Sequence, residues 1–179
     1  DLIVFPQNAV SGYLLGDVWL DEDFCRYADS FNDELIRESE DIAIVWGNIR
    51  YRNRRRFNAA FFAYQKKTHM RVKQNELLPY MQDALYFEEN PINSAIEYKE
   101  DMVFALNFGD EIQLADMNIN LDARPYDMQK AYHPHGNVIY VNACGMQNMD
   151  HSVMLMEGGS CVLRNGKCLY QAPYFQEDY

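Results

Sequence analysis

The chain has 179 residues, is 48% hydrophobic and carries 16 Lys+Arg against 27 Asp+Glu, a net charge of −11. Its size and apolar share suffice for one globular domain over residues 1–179, and no apolar run approaches the ~20 residues that a membrane-spanning helix needs. The negative balance argues against nucleic acid and anionic membrane as partners, since both call for positive surface.

In chain order, residues 2–5 form a continuous apolar run, as expected of a strand covered on both faces. Residues 21–40 predict an amphipathic helix. Phe24, Tyr27, Ala28, Phe31 and Leu35 recur at steps of three and four, with acids at its start where the helix dipole favours them. Residues 41–46 predict a second buried strand, closed by Gly47. Residues 57–64 and 68–72 predict a strand pair around a basic turn. Further strands are expected over 102–108, 116–121 and 137–142, and a terminal hairpin over 160–171 turns at Asn165-Gly166. Alternating strands and helices of this kind predict an α/β protein with sheets covered by outer helices.

The cysteines are Cys25, Cys144, Cys161 and Cys168. A two-residue turn at Asn165-Gly166 would set Cys161 opposite Tyr170 and Cys168 opposite Leu163. The two thiols are then diagonal neighbours about 7–8 Å apart, too far for an unstrained disulfide. Scattered free thiols in an acidic chain point to a reducing, cytoplasmic setting.

Several motifs appear together in one order: Phe5-Pro-Gln7; Ser11-Gly-Tyr-Leu-Leu-Gly-Asp17; Phe57-Asn-Ala-Ala; Arg71-Val-Lys-Gln-Asn-Glu-Leu-Leu-Pro-Tyr80; Tyr86-Phe-Glu88; and the run from Glu157-Gly-Gly-Ser160 to Ala172-Pro-Tyr-Phe-Gln-Glu-Asp178. This set resembles the carbon–nitrogen hydrolase (nitrilase) superfamily, and within it the glutaminase domain of glutamine-dependent NAD synthetase. The resemblance implies a nitrilase-type αββα sandwich. In that family a further strand and a long helix precede the first motif. The sandwich is thus expected to be incomplete at its N-terminus, the chain being a fragment or the ordered part of a longer protein. No Ser-Gly-Gly phosphate loop of the synthetase half is present.

The resemblance also assigns the chemistry, and there the chain departs from it. The general-base glutamate is replaced by Gln7, whose amide takes no proton near neutral pH. Lys73 stands at the catalytic lysine, which stabilises the oxyanion and the thiolate. Asp83 takes the place of an auxiliary glutamate, one methylene short, and Tyr80 lies on the substrate side. The nucleophilic cysteine falls on Gly109 in the preferred alignment and on Met117 in a second one, and neither residue can attack. Arg124, within Asp122-Ala-Arg-Pro-Tyr126, replaces a substrate-positioning serine. Cys144 reads as a small packing residue. The helix after the nucleophile and a later Gly-Lys-rich helix are mostly missing.

Scaffold motifs survive while catalytic ones do not. The expectation is therefore a catalytically inactive glutaminase-like domain acting as a structural, oligomerisation or partner-binding module. The alternative is an active glutaminase domain supplying ammonia for NAD synthesis, and a third reading gives an anion a place beside Lys73 and Arg124. No cofactor is implied, and His133, His135 and His151 lack the companion ligands of a metal site. A homo-oligomer or larger assembly is expected. Arg50, Arg52, Arg54, Arg55 and Arg56 would form a basic turn able to meet an acidic protein partner, and the helix face holding Asp29, Asp33 and Glu34 would be acidic.

Overall fold

The computed structural model describes residues 1–90, 96–98, 102–127, 135–149 and 152–178. They fall into two compact units, Asp1–Asn93 and Ser94–Tyr179. Mixed sheets with a helix make the protein α/β, as the alternating pattern predicts.

The first unit is built on a four-stranded sheet in the order β1-β2-β3-β4: β1 Leu2–Val4, β2 Ala43–Arg52, β3 Arg55–Tyr64 and β4 Lys67–Val72. β1 runs parallel to β2, and β2, β3 and β4 form antiparallel hairpins. Both hairpins close with two consecutive left-handed residues, Asn53 and Arg54 (φ 51° and 62°) and Gln65 and Lys66 (φ 51° and 60°). That is the turn whose twist matches paired strands. The expectation that Gly47 ends a strand is corrected, because β2 continues through it to Arg52. Gly47 is instead a point of close approach: a Cβ there would lie 2.4 Å from the Asn8 backbone nitrogen and 2.5 Å from Gln7 Cα.

The helix α1, Glu22–Glu38, starts where Asp21 accepts backbone hydrogen bonds from Asp23 (2.8 Å) and Phe24 (3.2 Å). A cap of this kind is worth about 1 kcal/mol. Its buried line runs through Cys25, Ala28 and Asn32, whereas Tyr27 is 66% exposed and meets Phe31 edge-on. The apolar stripe is therefore displaced by a polar node that a hydrophobicity pattern misses. Asn32 Oδ1 accepts from Trp46 Nε1 (2.8 Å) and Asn48 Nδ2 (2.9 Å), while its own amide donates to the Ile49 carbonyl (2.9 Å). Ile44, Trp46, Ala59, Phe61 and Ala63 make the core beneath, with Leu35 and Ile36 packed against it.

The second unit has a six-stranded sheet ordered β14-β13-β10-β9-β8-β7. Its strands are β7 Ile96–Tyr98, β8 Met102–Phe108, β9 Met117–Asp122, β10 Val138–Asn142, β13 Cys161–Arg164 and β14 Lys167–Gln171. β8, β9 and β10 are parallel and the outer strands antiparallel. A separate hairpin, β11 Cys144–Met149 with β12 Ser152–Glu157, carries no clear periodicity and was not anticipated. In the terminal hairpin Cys168 faces Leu163 as expected, but Cys161 faces Gln171 rather than Tyr170, because a bulge between Val162 and Leu163 shifts the register by one residue.

Candidate functional site

In the first unit the expected lysine is buried in a charged cluster. Lys73 follows β4, its N–H donating to the Asn58 carbonyl at 2.8 Å. A small hairpin then intervenes, β5 Leu77–Leu78 and β6 Met81–Gln82, with Tyr80 in its turn. It brings the chain back so that the Asp83 N–H donates to the Glu76 carbonyl at 3.2 Å. Lys73 Nζ stands 2.5 Å from Asp83 Oδ2 and 2.7 Å from Glu76 Oε2, and Tyr13 donates its hydroxyl to Asp83 Oδ1 at 3.2 Å. Lys73 is 5% exposed, Asp83 1% and Tyr13 2%. Burial, and next the Asp83 charge, push the Tyr13 phenol far above its ordinary range, so it remains a neutral donor.

Two carboxylates thus face one ammonium. Lys73 is neutralised before any ligand arrives, which weakens the reading of an anion held by this residue. Gln7 is also buried, at 4% exposure, and its Nε2 finds no hydrogen-bond partner among the described residues. Tyr13 and Glu76 were not singled out from sequence. Glu76 could have been found from its position three residues after the lysine, and Tyr13 from its place in the Ser11-to-Asp17 motif.

In the second unit the residues at the carboxyl ends of the parallel strands converge, the usual place for a ligand site in such sheets. Gly109 follows β8, Asp122 ends β9 with Arg124 two residues beyond it, and Asn142 ends β10. Gly109 is left-handed at φ +55°, and a Cβ built on it would lie 3.0 Å from Arg124 Nη2 and 3.9 Å from Asp122 Oδ2. Arg124 is held in that place. Its Nε lies 3.3 Å from Asp122 Oδ2, and its backbone N–H donates to Asn142 Oδ1 at 3.0 Å. Asp122 also accepts from Tyr140 Oη at 3.0 Å and from the Ala123 N–H at 2.9 Å. Glu157 titrates above its ordinary value because it is desolvated, with Arg124 pulling the other way. Gly109 and Arg124, read separately from sequence, are therefore neighbours in space.

Met117, the other candidate for the nucleophile position, begins β9 opposite Phe104, at the amino end of the parallel strands and away from the Gly109 end. The segment 109–116 is turn and irregular loop, as the missing helix led us to expect. Its carbonyls at Gly109 and Glu111 accept from Asn120 Nδ2 at 2.9 and 2.7 Å, and Gln113 bonds Asn107 and Asn118. Buried Asn107, Asn118 and Asn120 thus hold this loop in place.

All four cysteines are free. The Cys25 thiol donates to the Trp19 carbonyl at 3.3 Å, and Cys144 sits 3.3 Å from where Gly158 would carry a Cβ, a packing role as expected. Burial pushes the Cys161 thiol up to about 11. Among the described residues no group of three His, Cys, Asp or Glu side chains is arranged to hold a metal ion. His133 and His151 lie outside the described residues, and His135 is exposed.

The basic cluster is only partly a turn. Asn53 and Arg54 form it, while Arg50, Arg52, Arg55 and Arg56 lie on β2 and β3. Arg50 pairs with Asp29 at 3.2 Å and lies over Phe61, Arg55 pairs with Glu88, and Arg54 approaches Glu22 at 3.6 Å. Acids of the same unit therefore compete for these guanidinium groups.

No protein-family model matches the chain, and no curated protein sequence matches it. Solved structures do. The glutamine-dependent NAD+ synthetase of Acinetobacter baumannii, solved with ADP, matches with a TM-score of 0.81 and 25% identity over 99% of this chain and 38% of that one. The glutamine-dependent NAD(+) synthetase of Cytophaga hutchinsonii matches with a TM-score of 0.77 and 15% identity over 97% of this chain and 35% of that one. A cysteine-to-alanine mutant of the Nesterenkonia AN1 amidase, from the nitrilase superfamily, matches with a TM-score of 0.77 and 17% identity over 96% of this chain and 73% of that one. The chain thus has the nitrilase-type, carbon–nitrogen hydrolase fold and resembles the glutaminase domain of NAD synthetase, and it spans little more than a third of those synthetases.

Proposed function

We propose that this chain is a glutaminase-like domain that no longer hydrolyses glutamine and serves as a structural, oligomerisation or partner-binding module. One observation supports the reading: Gly109, the position that the preferred alignment gives the nucleophile, borders the Arg124 guanidinium, 3.0 Å from where a Cβ would stand. Hydrolysis of this type needs a thiolate that forms an acyl intermediate, and glycine supplies no atom for that bond. Gln7 adds to the case by removing the base. The weight rests on the missing thiol, because a glutamate-to-glutamine mutant of the Nesterenkonia amidase still adds the acetamide moiety of fluoroacetamide at its active-site cysteine.

The feature favouring an active glutaminase is the intact Lys73–Asp83 pair, buried and joined by Glu76 and Tyr13. A buried ion pair of this kind also has a structural reason to persist. Removing one partner leaves an unpaired charge in the interior, at a cost of about 3–5 kcal/mol. Four free cysteines support a reducing, cytoplasmic setting. Among the described residues no helix is long and apolar enough to cross a membrane. An acidic partner would meet Arg52 and Arg54, the exposed members of the cluster least engaged by internal acids.

Ammonia release from glutamine by the purified chain tests the reading. The expected result is a rate equal to the protein-free background. Release that scales with protein and is lost in Lys73→Arg would establish the active domain instead.

A further inference from the structure

The second unit holds a cleft at the amino ends of its parallel strands, away from Gly109 and Arg124. Its volume is about 580 Å³, and its apolar walls are Met102 at the start of β8, Met117 at the start of β9, and Val162 and Leu169 from the terminal hairpin. Small-ligand sites span about 300–1,000 Å³. The bulge supplies one wall. Val162 faces Tyr170 and Leu163 faces Cys168, so Leu169 is the extra residue with no cross-strand partner. Leu169 is 60% exposed and Met102 42%. The polar side chains of the rim are already committed. Asp116 accepts from the Val103 N–H at 2.8 Å, while Asn137 donates to the Asp116 carbonyl at 3.0 Å and accepts from the Asn165 N–H at 2.7 Å.

Charge sets what such a cleft takes. Arg164 lines it, and the hairpin register puts Lys167 directly opposite Arg164. Like charges facing each other across two strands destabilise the pair. Both cations are exposed, and neither joins an ion pair among the described residues. Elsewhere in the same acidic protein Arg26, Arg50, Arg55 and Lys66 each find a carboxylate. Of the described acids, Asp116 also lines the cleft, but it precedes β9, two strands from Arg164 on β13 and about 10 Å away at ordinary strand spacing. Its carboxylate is turned to Val103 on the far side. Glu97 lies on β7, further still, and Asp178 accepts from the Tyr170 hydroxyl. A positive edge without an internal counter-charge thus adjoins an apolar cleft. We propose that this cleft binds a small anionic amphiphile, its apolar tail against Met102, Met117 and Leu169 and its carboxylate or phosphate monoester head between Arg164 and Lys167. The head would relieve the like-charge contact and accept charge-assisted hydrogen bonds from both side chains.

The inference does not depend on whether the domain hydrolyses glutamine, because the cleft shares no residue with the lysine cluster or with the Gly109 and Arg124 site. The test is isothermal titration calorimetry of the purified protein with octanoate and with octyl phosphate, each below its micelle concentration. The expected result is saturable one-to-one binding, the tighter probe naming the head group, with neutral octanol at least about tenfold weaker. Lys167→Glu turns the repelling pair into an attracting one, so it should keep or raise the melting temperature. It should nonetheless weaken the anion by at least about tenfold. Leu169→Asn wets one wall at an exposed position, and should weaken binding by about threefold or more with an unchanged melting temperature. No saturable binding of either anion, octanol bound as tightly as the anions, or an affinity unchanged in either variant would overturn the proposal.

Discussion

The two units hold their candidate site residues in opposite ways. In the first, Lys73, which the resemblance aligns with the catalytic lysine, is enclosed by Asp83, Glu76 and Tyr13. In the second, the position that the resemblance aligns with the nucleophile holds Gly109, and Arg124 borders the space where a side chain would begin. The contrast follows from what each side chain does for the fold. Lys73 is one half of a buried ion pair, so deleting it strands Asp83 at 1% exposure. A catalytic thiol balances no charge and can be lost without such a cost. A constellation can therefore keep its charged frame after its reactive atom has gone, and a retained lysine is weak evidence for retained activity.

Disrupting the frame should have the largest effect. Lys73→Met leaves Asp83 buried and unpaired, and should lower unfolding free energy in urea by about 3–5 kcal/mol. Lys73→Met combined with Asp83→Leu should recover much of that loss. If the single variant is as stable as wild type, the frame is not structural and its persistence needs another reason.

The next effect tests the wall beside Gln7. Gly47→Ala would force a methyl group to within 2.4 Å of the Asn8 nitrogen and 2.5 Å of Gln7 Cα. That contact is with backbone, so the expected cost is about 3 kcal/mol, at the upper end for overpacking. A melting temperature equal to wild type would show that the segment 7–8 gives way.

The emptied position should respond less, and in a coupled way. Gly109→Ala places a Cβ at φ +55°, 3.0 Å from Arg124 Nη2. The backbone state alone costs about 1–2 kcal/mol. Part of the total should vanish when Arg124→Ser is combined with it, with a coupling of about 0.5 kcal/mol or more in a double-mutant cycle. Strict additivity would mean that the two replacements are independent.

The smallest effect is one of pH. Burial raises Cys161 from 9.0 to about 11 in the folded protein. A raised folded pKa means that the stability it contributes is complete below the unfolded value and is lost as pH rises through the folded one. Wild type should lose melting temperature between pH 9 and about 11, and Cys161→Ala should lose less over the same window. Parallel curves would exclude this thiol as a source of the alkaline loss.

Much of the fold was legible because its strands are apolar runs bounded by explicit turn residues. Asn165-Gly166 is an example; the run 2–5 forms a strand over Leu2–Val4 as well, but Ile3 and Phe5 are 41% and 42% exposed rather than covered on both faces. The errors have physical causes. Gly47 looked like a strand end, because a glycine demanded by a neighbouring backbone is indistinguishable in sequence from one demanded by a turn. Tyr27 looked buried, because a hydrophobicity pattern cannot foresee that Asn32 would be the central contact through four hydrogen bonds. The candidate positions 7, 73, 83, 109 and 124 come from motif order alone. That 109 and 124 touch, and that Glu76 and Tyr13 complete the lysine cluster, depend on chain reversals with no local signature, such as the hairpin at Pro79-Tyr80.

The central claim, that no nucleophile serves this domain, is tested most directly by intact-mass spectrometry after incubation with a chloroketone analogue of glutamine at neutral pH. The account predicts no stoichiometric adduct, and any slow labelling should be insensitive to competing glutamine. One equivalent of adduct on a single cysteine, blocked by glutamine, would contradict it.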